Sequence, residues 1–166
     1  MENELHWYAA YTKSRHEKVV KERLEQKGFE TFLPIIVRKN QWKDRVKDVE
    51  TPLIKSYIFV HVESKDLLYI MQTHGVVNIV RIGVKYTIVP DYQIDALKKA
   101  LEERMNLTPE SHFAKGEKVK VLSGPLMGKI GLIQEISGHT KLILKVDAIN
   151  FAFSTPVNPE NVEKIQ

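Results

Sequence analysis

The sequence contains no cysteine, which excludes disulfides, thiol nucleophiles and cysteine-ligated metals. Such a chain is compatible with a reducing compartment. No apolar run approaches the ~20 residues that a membrane helix requires. Residues 1–6 carry two glutamates in place of the basic and then apolar segments of a secretion signal. These absences point to a cytoplasmic protein with no membrane partner. Charge of one sign is scarce as well: 25 Lys/Arg stand against 21 Asp/Glu, for a net charge of +4. Residues 1–105 hold 18 basic against 15 acidic side chains, and residues 106–166 hold 7 against 6. A binder that held nucleic acid by general electrostatics would show a larger excess, so any phosphate contact must come from local clustering. The six histidines, at 6, 16, 61, 74, 112 and 139, share no metal-ligand spacing with carboxylates. A phosphate-cradling glycine loop and a nucleophile elbow are both missing. The chain reads as a protein without catalysis, cofactor or metal.

What is present is periodic. His6–Thr12 alternates, with Trp7, Ala9 and Tyr11 on one face, as in a half-buried strand. Ser14 and Glu17 have the spacing of a capping box. Val19, Val20 and Leu24 form the apolar stripe of a helix over 15–27, ended by Gly28. Residues 29–38 are rich in β-branched and aromatic types and predict a strand, and the charged stretch 39–47 predicts an exposed hairpin or loop. Residues 54–62 predict a central strand, with Tyr57 and Phe59 facing away from Ile58 and Val60. A short helix capped by Ser64 runs to Thr73 and ends at Gly75. Strands at 76–82 and 86–89 follow, then a helix over 91–104. This α+β order, β-α-β-β-α-β with a closing helix, predicts a ferredoxin-like fold of two split βαβ units.

From residue 105 to 114 periodicity stops, as in a linker. Beyond it lie five short strand candidates, at 118–122, 130–136, 141–146, 151–155 and 162–165, separated by glycine, proline and asparagine turns. They predict a small all-β barrel over 115–166. The domains are therefore 1–104 and 115–166.

Within the second domain, Lys115-Gly116-Glu117-Lys118-Val119-Lys120-Val121 followed by Gly124-Pro125-Leu126-Met127-Gly128-Lys129-Ile130-Gly131 resembles the KOW motif. Glycines in the loop supply positive φ, and Gly131 lets the next strand pass close to its neighbour. The first domain adds Trp7-Tyr8, Pro34 after Phe32, and 52–60 with its Tyr57-Ile58-Phe59-Val60. It also has 75–83 and Ile88-Val89-Pro90. These segments resemble the NusG N-terminal domain. Together the two blocks identify the chain as similar to NusG-family transcription elongation and antitermination factors, and most of all to the RfaH-like or capsule-operon antiterminator paralogues. One departure is Ile54-Lys55-Ser56, where family members often carry Phe-Pro-Gly or Phe-Pro-Asn before the tyrosine.

The resemblance implies a factor that binds the clamp helices of the largest RNA polymerase subunit, modulates pausing and termination, and uses an SH3-like KOW barrel to recruit a further partner. That partner would be a small-subunit ribosomal protein or a termination factor. By position, Tyr11, Tyr57, Phe59 and Ile82 would meet the polymerase. Aromatics suit such a surface, although an alternating strand also places one face in the core. Lys13, Arg15, His16 and Arg23, with Thr73 and His74, would meet the non-template DNA strand. The competing assignment for the basic segment is a solvated helix face diluted by Glu17 and Glu22. Arg38, Lys39, Lys43, Arg45 and Lys47 read as a solvated hairpin tip. A KOW-type RNA-binding protein of the ribosome is the other functional reading, against which the near balance of charge weighs. Val119, Val121, Ile130, Ile143, Val146 and Ile149, with glycines and Pro125 between them, predict that the barrel does not switch to helix.

Overall fold

The computed structural model of the chain describes residues 3–110 and 115–166. Two compact units divide it, Met1–Ile88 and Val89–Gln166. In the first, β1 (His6–Thr12) leads to α1 (Glu17–Gln26) and β2 (Glu30–Phe32). A hairpin of β3 (Ile35–Trp42) and β4 (Arg45–Pro52) precedes β5 (Tyr57–Val62). A 3-10 turn over Ser64–Asp66 opens into α2 (Leu67–Met71), which is followed by β6 (Val76–Ile79). The small hairpin β7 (Arg81–Ile82) and β8 (Lys85–Tyr86) comes next, and β9 (Ile88–Val89) pairs with β1. The main sheet runs β2-β5-β1-β6, with these neighbours antiparallel.

Alternation decides which face of this sheet is covered by helices. Tyr8 and Ala10 of β1 and Ile58, Val60 and Val62 of β5 pack with Val20 and Leu24 of α1 and with Leu67 and Ile70 of α2. Val19, placed in the stripe by its neighbours, is exposed instead; one residue is a rotation of about 100° on a helix, enough to leave the face. Helix α1 ends as its glycine predicts. Gly28 takes φ +89°, Phe29 N donates to Leu24 O at 3.1 Å and Gly28 N to Glu25 O at 2.9 Å. That is the Schellman closure.

Several local expectations are corrected. The capping box at Ser14 does not form, because the Glu17 carboxylate is buried and accepts from Ser56 N at 2.8 Å, and His16 occupies the cap. Ser64 caps no helix through its side chain. The strand expected over 29–38 breaks at Leu33-Pro34: proline offers no N–H to a ladder, so β2 stops at Phe32 and β3 starts at Ile35. The strand over 76–82 likewise breaks at Val80, whose N–H goes to Ala9 O and whose carbonyl accepts from Thr87 N.

In the second unit α3 (Asp91–Glu102) is followed by β10 (Thr108–Glu110), β11 (Glu117–Val121), β12 (Ile130–Ile136) and β13 (His139–Val146). β14 (Phe151–Pro156) and β15 (Val162–Lys164) complete it. The strand order is β10-β14-β13-β12-β11-β15, antiparallel throughout. The stretch read as a linker therefore contributes an edge strand at Thr108–Glu110, while residues 111–114 lie outside the described residues. Helix α3 presents Ala96 and Ala100 to Val119, Val121, Leu142 and Leu144. Its buried Gln93 donates to Asp147 Oδ2 at 2.9 Å and accepts from Asp147 N at 3.3 Å. Sequence order attaches this helix to the first domain; its small residues pack it into the second unit.

Candidate functional site

The register of β1 against β5 puts two sets of candidate residues within reach of each other. Tyr11 pairs with Tyr57 and Ala9 with Phe59, so all four share the sheet face opposite the helices. Tyr11 and Tyr57 meet edge to face, with centroids 5.4 Å apart. Farther along the same face Phe32 stacks with Phe59, and Trp7 stacks on His61 at 4.7 Å. Exposure separates the members of this row. Tyr11 is 43% exposed and Tyr57 half-buried, whereas Phe59 has no exposed surface. Ile82 is 79% exposed but stands on the β7–β8 hairpin, a separate two-stranded sheet. Only the tyrosine pair is thus both assembled and reachable by solvent.

The second set converges more completely. β1 and β6 are neighbours, and Lys13 N donates to Gly75 O at 2.9 Å, which sets the loop before α1 against the loop after α2. Arg23 Nη1 donates to His74 O at 2.6 Å and lies 3.0 Å from His74 Nδ1. The rings of His16 and His74 are 6.5 Å apart. Lys13, Arg15 and His74 are exposed. Thr73 belongs to the cluster but is buried, and its hydroxyl accepts from Lys27 Nζ at 2.8 Å. Lys21 is occupied elsewhere: it hydrogen-bonds Glu25, and together with Thr31 it holds the Glu25 carboxyl below its usual range.

Two residues that shape this cluster were not singled out for it by sequence. Glu17 is one. Its carboxylate binds Ser56 N and ties α1 to the start of β5, between Arg15 and Ser56, both in the left-handed region at φ 62° and 66°. Non-glycine residues held there store strain of about 1–3 kcal/mol, a feature enriched at functional sites. Gly75 is the other: at φ +102°, an added Cβ would sit 2.7 Å from Val20 Cγ2 and 3.6 Å from His16 Cβ. No spacing in the sequence signals the Glu17–Ser56 bond, which joins residues 39 apart. Among the described residues no group of His, Asp and Glu is arranged to hold a metal ion, and no helix is long and apolar enough to cross a membrane.

A strand–helix–strand sheet with this cluster, followed by a β unit with a glycine-rich loop, can be compared with known proteins. The family model described as transcription termination factor NusG matches residues 5–98. The chain belongs to the NusG family. The KOW motif model matches residues 115–147. Over 163 residues, covering 92% of this chain and 89% of that protein, the chain is 26% identical to the transcription termination/antitermination protein NusG of Chlamydia pneumoniae. Among solved structures, Thermotoga maritima NusG aligns over 98% of both chains at 22% identity and a TM-score of 0.48. The MjSpt4:Spt5 complex in conformation A aligns over 96% of this chain and 98% of that one, at 18% identity and a TM-score of 0.31.

Proposed function

We propose that this NusG-family chain is a transcription elongation and antitermination factor that docks on RNA polymerase through the Tyr11–Tyr57 end of its first sheet. The strand order β2-β5-β1-β6 is read as the ferredoxin-like arrangement, and the second sheet as an SH3-like barrel. On this reading residues 1–104 form the polymerase-binding domain, 105–114 the connection and 115–166 the KOW domain, with α3 and β10 lent to the packing of the second unit. The KOW domain recruits a small-subunit ribosomal protein or a termination factor in the cytoplasm. The observation that carries the docking is the tyrosine pair: two amphipathic rings held edge to face on an open sheet end. Such rings give large contact area at low entropic cost. Lys13, Arg15, His16, Arg23 and His74 offer cations and ring edges to the unpaired non-template strand, whose phosphates and bases are both accessible. A ribosomal RNA-binding role is the weaker reading, since 25 basic against 21 acidic residues leaves little excess charge.

The chain should co-purify with core polymerase and not with ribosomes. Tyr11→Ala and Tyr57→Ala should each weaken binding to a clamp-helix fragment by at least ~1 kcal/mol while the protein still melts cooperatively. Unchanged affinity in both variants would remove the tyrosine pair from the interface.

A further inference from the structure

Among the described residues, the hairpin β3–β4 is a two-stranded sheet by itself, hydrogen-bonded to no third strand. Its eight paired residues per strand give it a reach of about 26 Å. The register sorts its side chains. Arg38 pairs with Val49, Asn40 with Lys47 and Trp42 with Arg45, so Arg38, Asn40, Trp42, Arg45 and Lys47 share one face. All five are exposed. The opposite face pairs Val37 with Glu50, Lys39 with Asp48 and Gln41 with Val46, and so sets one lysine against two carboxylates. Lys18 of α1 salt-bridges Glu50 at 3.8 Å on that second face. Among the described residues, Arg38, Arg45 and Lys47 enter no ion pair, and Trp42, 58% exposed, meets no other ring. Sequence order alone interleaves these cations with Asp44, Asp48 and Glu50; pairing separates them into a face with three unneutralised cations and no carboxylate.

We infer that this face is a docking surface for B-form duplex DNA, entered through the major groove. A two-stranded ribbon fits that groove, and Arg, Lys and Asn are the side chains that pair with guanine and adenine edges there. A cationic face of this kind is complementary to the phosphates that line the groove. The major groove of A-form RNA is too deep and narrow to admit the ribbon. Trp42 at the tip offers an apolar surface to thymine methyl groups. The inference concerns a surface apart from the tyrosine pair and the Lys13 cluster, and it does not require polymerase.

The test uses the full chain without polymerase and a duplex of about 20 base pairs at low salt. Trp42 is the reporter, since the other tryptophan, Trp7, is buried. Duplex DNA should change the emission, and Trp42→Phe should abolish the change. Replacing Arg45 and Lys47 together by alanine should weaken binding about tenfold and lower the salt slope by about 0.9 for each phosphate left without its cation. Lys39→Ala, on the opposite face, should change affinity less than about twofold. These side chains are exposed, so the melting curves of all variants should match the parent. An equal weakening by Lys39→Ala would overturn the inference, as would an unchanged affinity in the double variant. So would a Trp42 response to single-stranded DNA or duplex RNA as large as to duplex DNA. None of these outcomes bears on polymerase recruitment.

Discussion

Gly75 and Gly131 are both glycines with no room for a methyl group, and they differ in how visible that was. Gly131 sits on β12 where an added Cβ would meet Ile143 O at 2.8 Å and Leu142 Cδ1 at 2.9 Å, the close strand approach that its place after a glycine loop predicts. Gly75 was expected to stop the short helix, but α2 ends at Met71 and the glycine lies in the turn over 73–76 that leads into β6; its approach to Val20, 55 residues away (75 minus 20), has no sequence signature. Gly75→Ala combines a strained φ with a clash and should cost about 1–3 kcal/mol, read as a fall in the melting temperature. It should also draw His74 away from Arg23 and His16, broadening or shifting the imidazole resonances of the two histidines. Gly131→Ala should cost about 1–3 kcal/mol by overpacking against a backbone oxygen. A melting temperature unchanged in either variant would show that the neighbouring strand or helix yields freely. Phe59 teaches the converse: the family resemblance assigns it to the polymerase surface, whereas alternation also allows the core, and it has no exposed surface.

At the scale of elements, strands with clean alternation were legible, and boundaries set by a non-local bond were not. β13 appears where the pattern puts it, two residues longer at its start, and β5 takes the last six residues of the expected 54–62, because a period of two fixes which side chains can be buried together. The cap at Ser14 failed because a distant backbone N–H, that of Ser56, competes for Glu17. β10 escaped because Thr108–Glu110 has no periodicity of its own and is a strand only by its pairing with β14. The second unit carries the element-scale prediction. Leu142, Ile143, Leu144 and Val146 are buried in strand geometry, and Gly124 and Gly128 adopt φ of +87° and +85° in the loop between β11 and β12. A helical alternative would give up this packing and place Gly and Pro125 inside helices, at ~1 and ~3 kcal/mol each. Backbone chemical shifts of the full-length protein should therefore show strand values across 130–136 and 139–146. Helical shifts there would defeat the prediction.

For the molecule as a whole, the prediction is electrostatic. Its net charge of +4 is small, so salt-dependent recruitment to a transcription complex must come from clusters rather than from the overall field. Charge reversal at Lys13 and Arg15 should reduce crosslinking to the non-template strand. It should also flatten the salt dependence of recruitment by about 0.7 in slope for each single-strand phosphate no longer neutralised. If recruitment stays equally salt-sensitive, those side chains are only a solvated loop and helix face. By itself the sequence determined the family, the order of most elements and the identity of the chemistry-bearing residues, because those depend on local periodicity, glycine and proline placement and motif text. Tertiary structure decided which of those residues meet. Pairing of β1 with β6 brought Lys13 and His16 to His74, and the register of β3 with β4 gathered Arg38, Arg45 and Lys47 on one face. Long-range pairing set the first arrangement, which no local pattern in the chain specifies; the second follows from the register that the two-residue turn at 43–44 imposes on its hairpin.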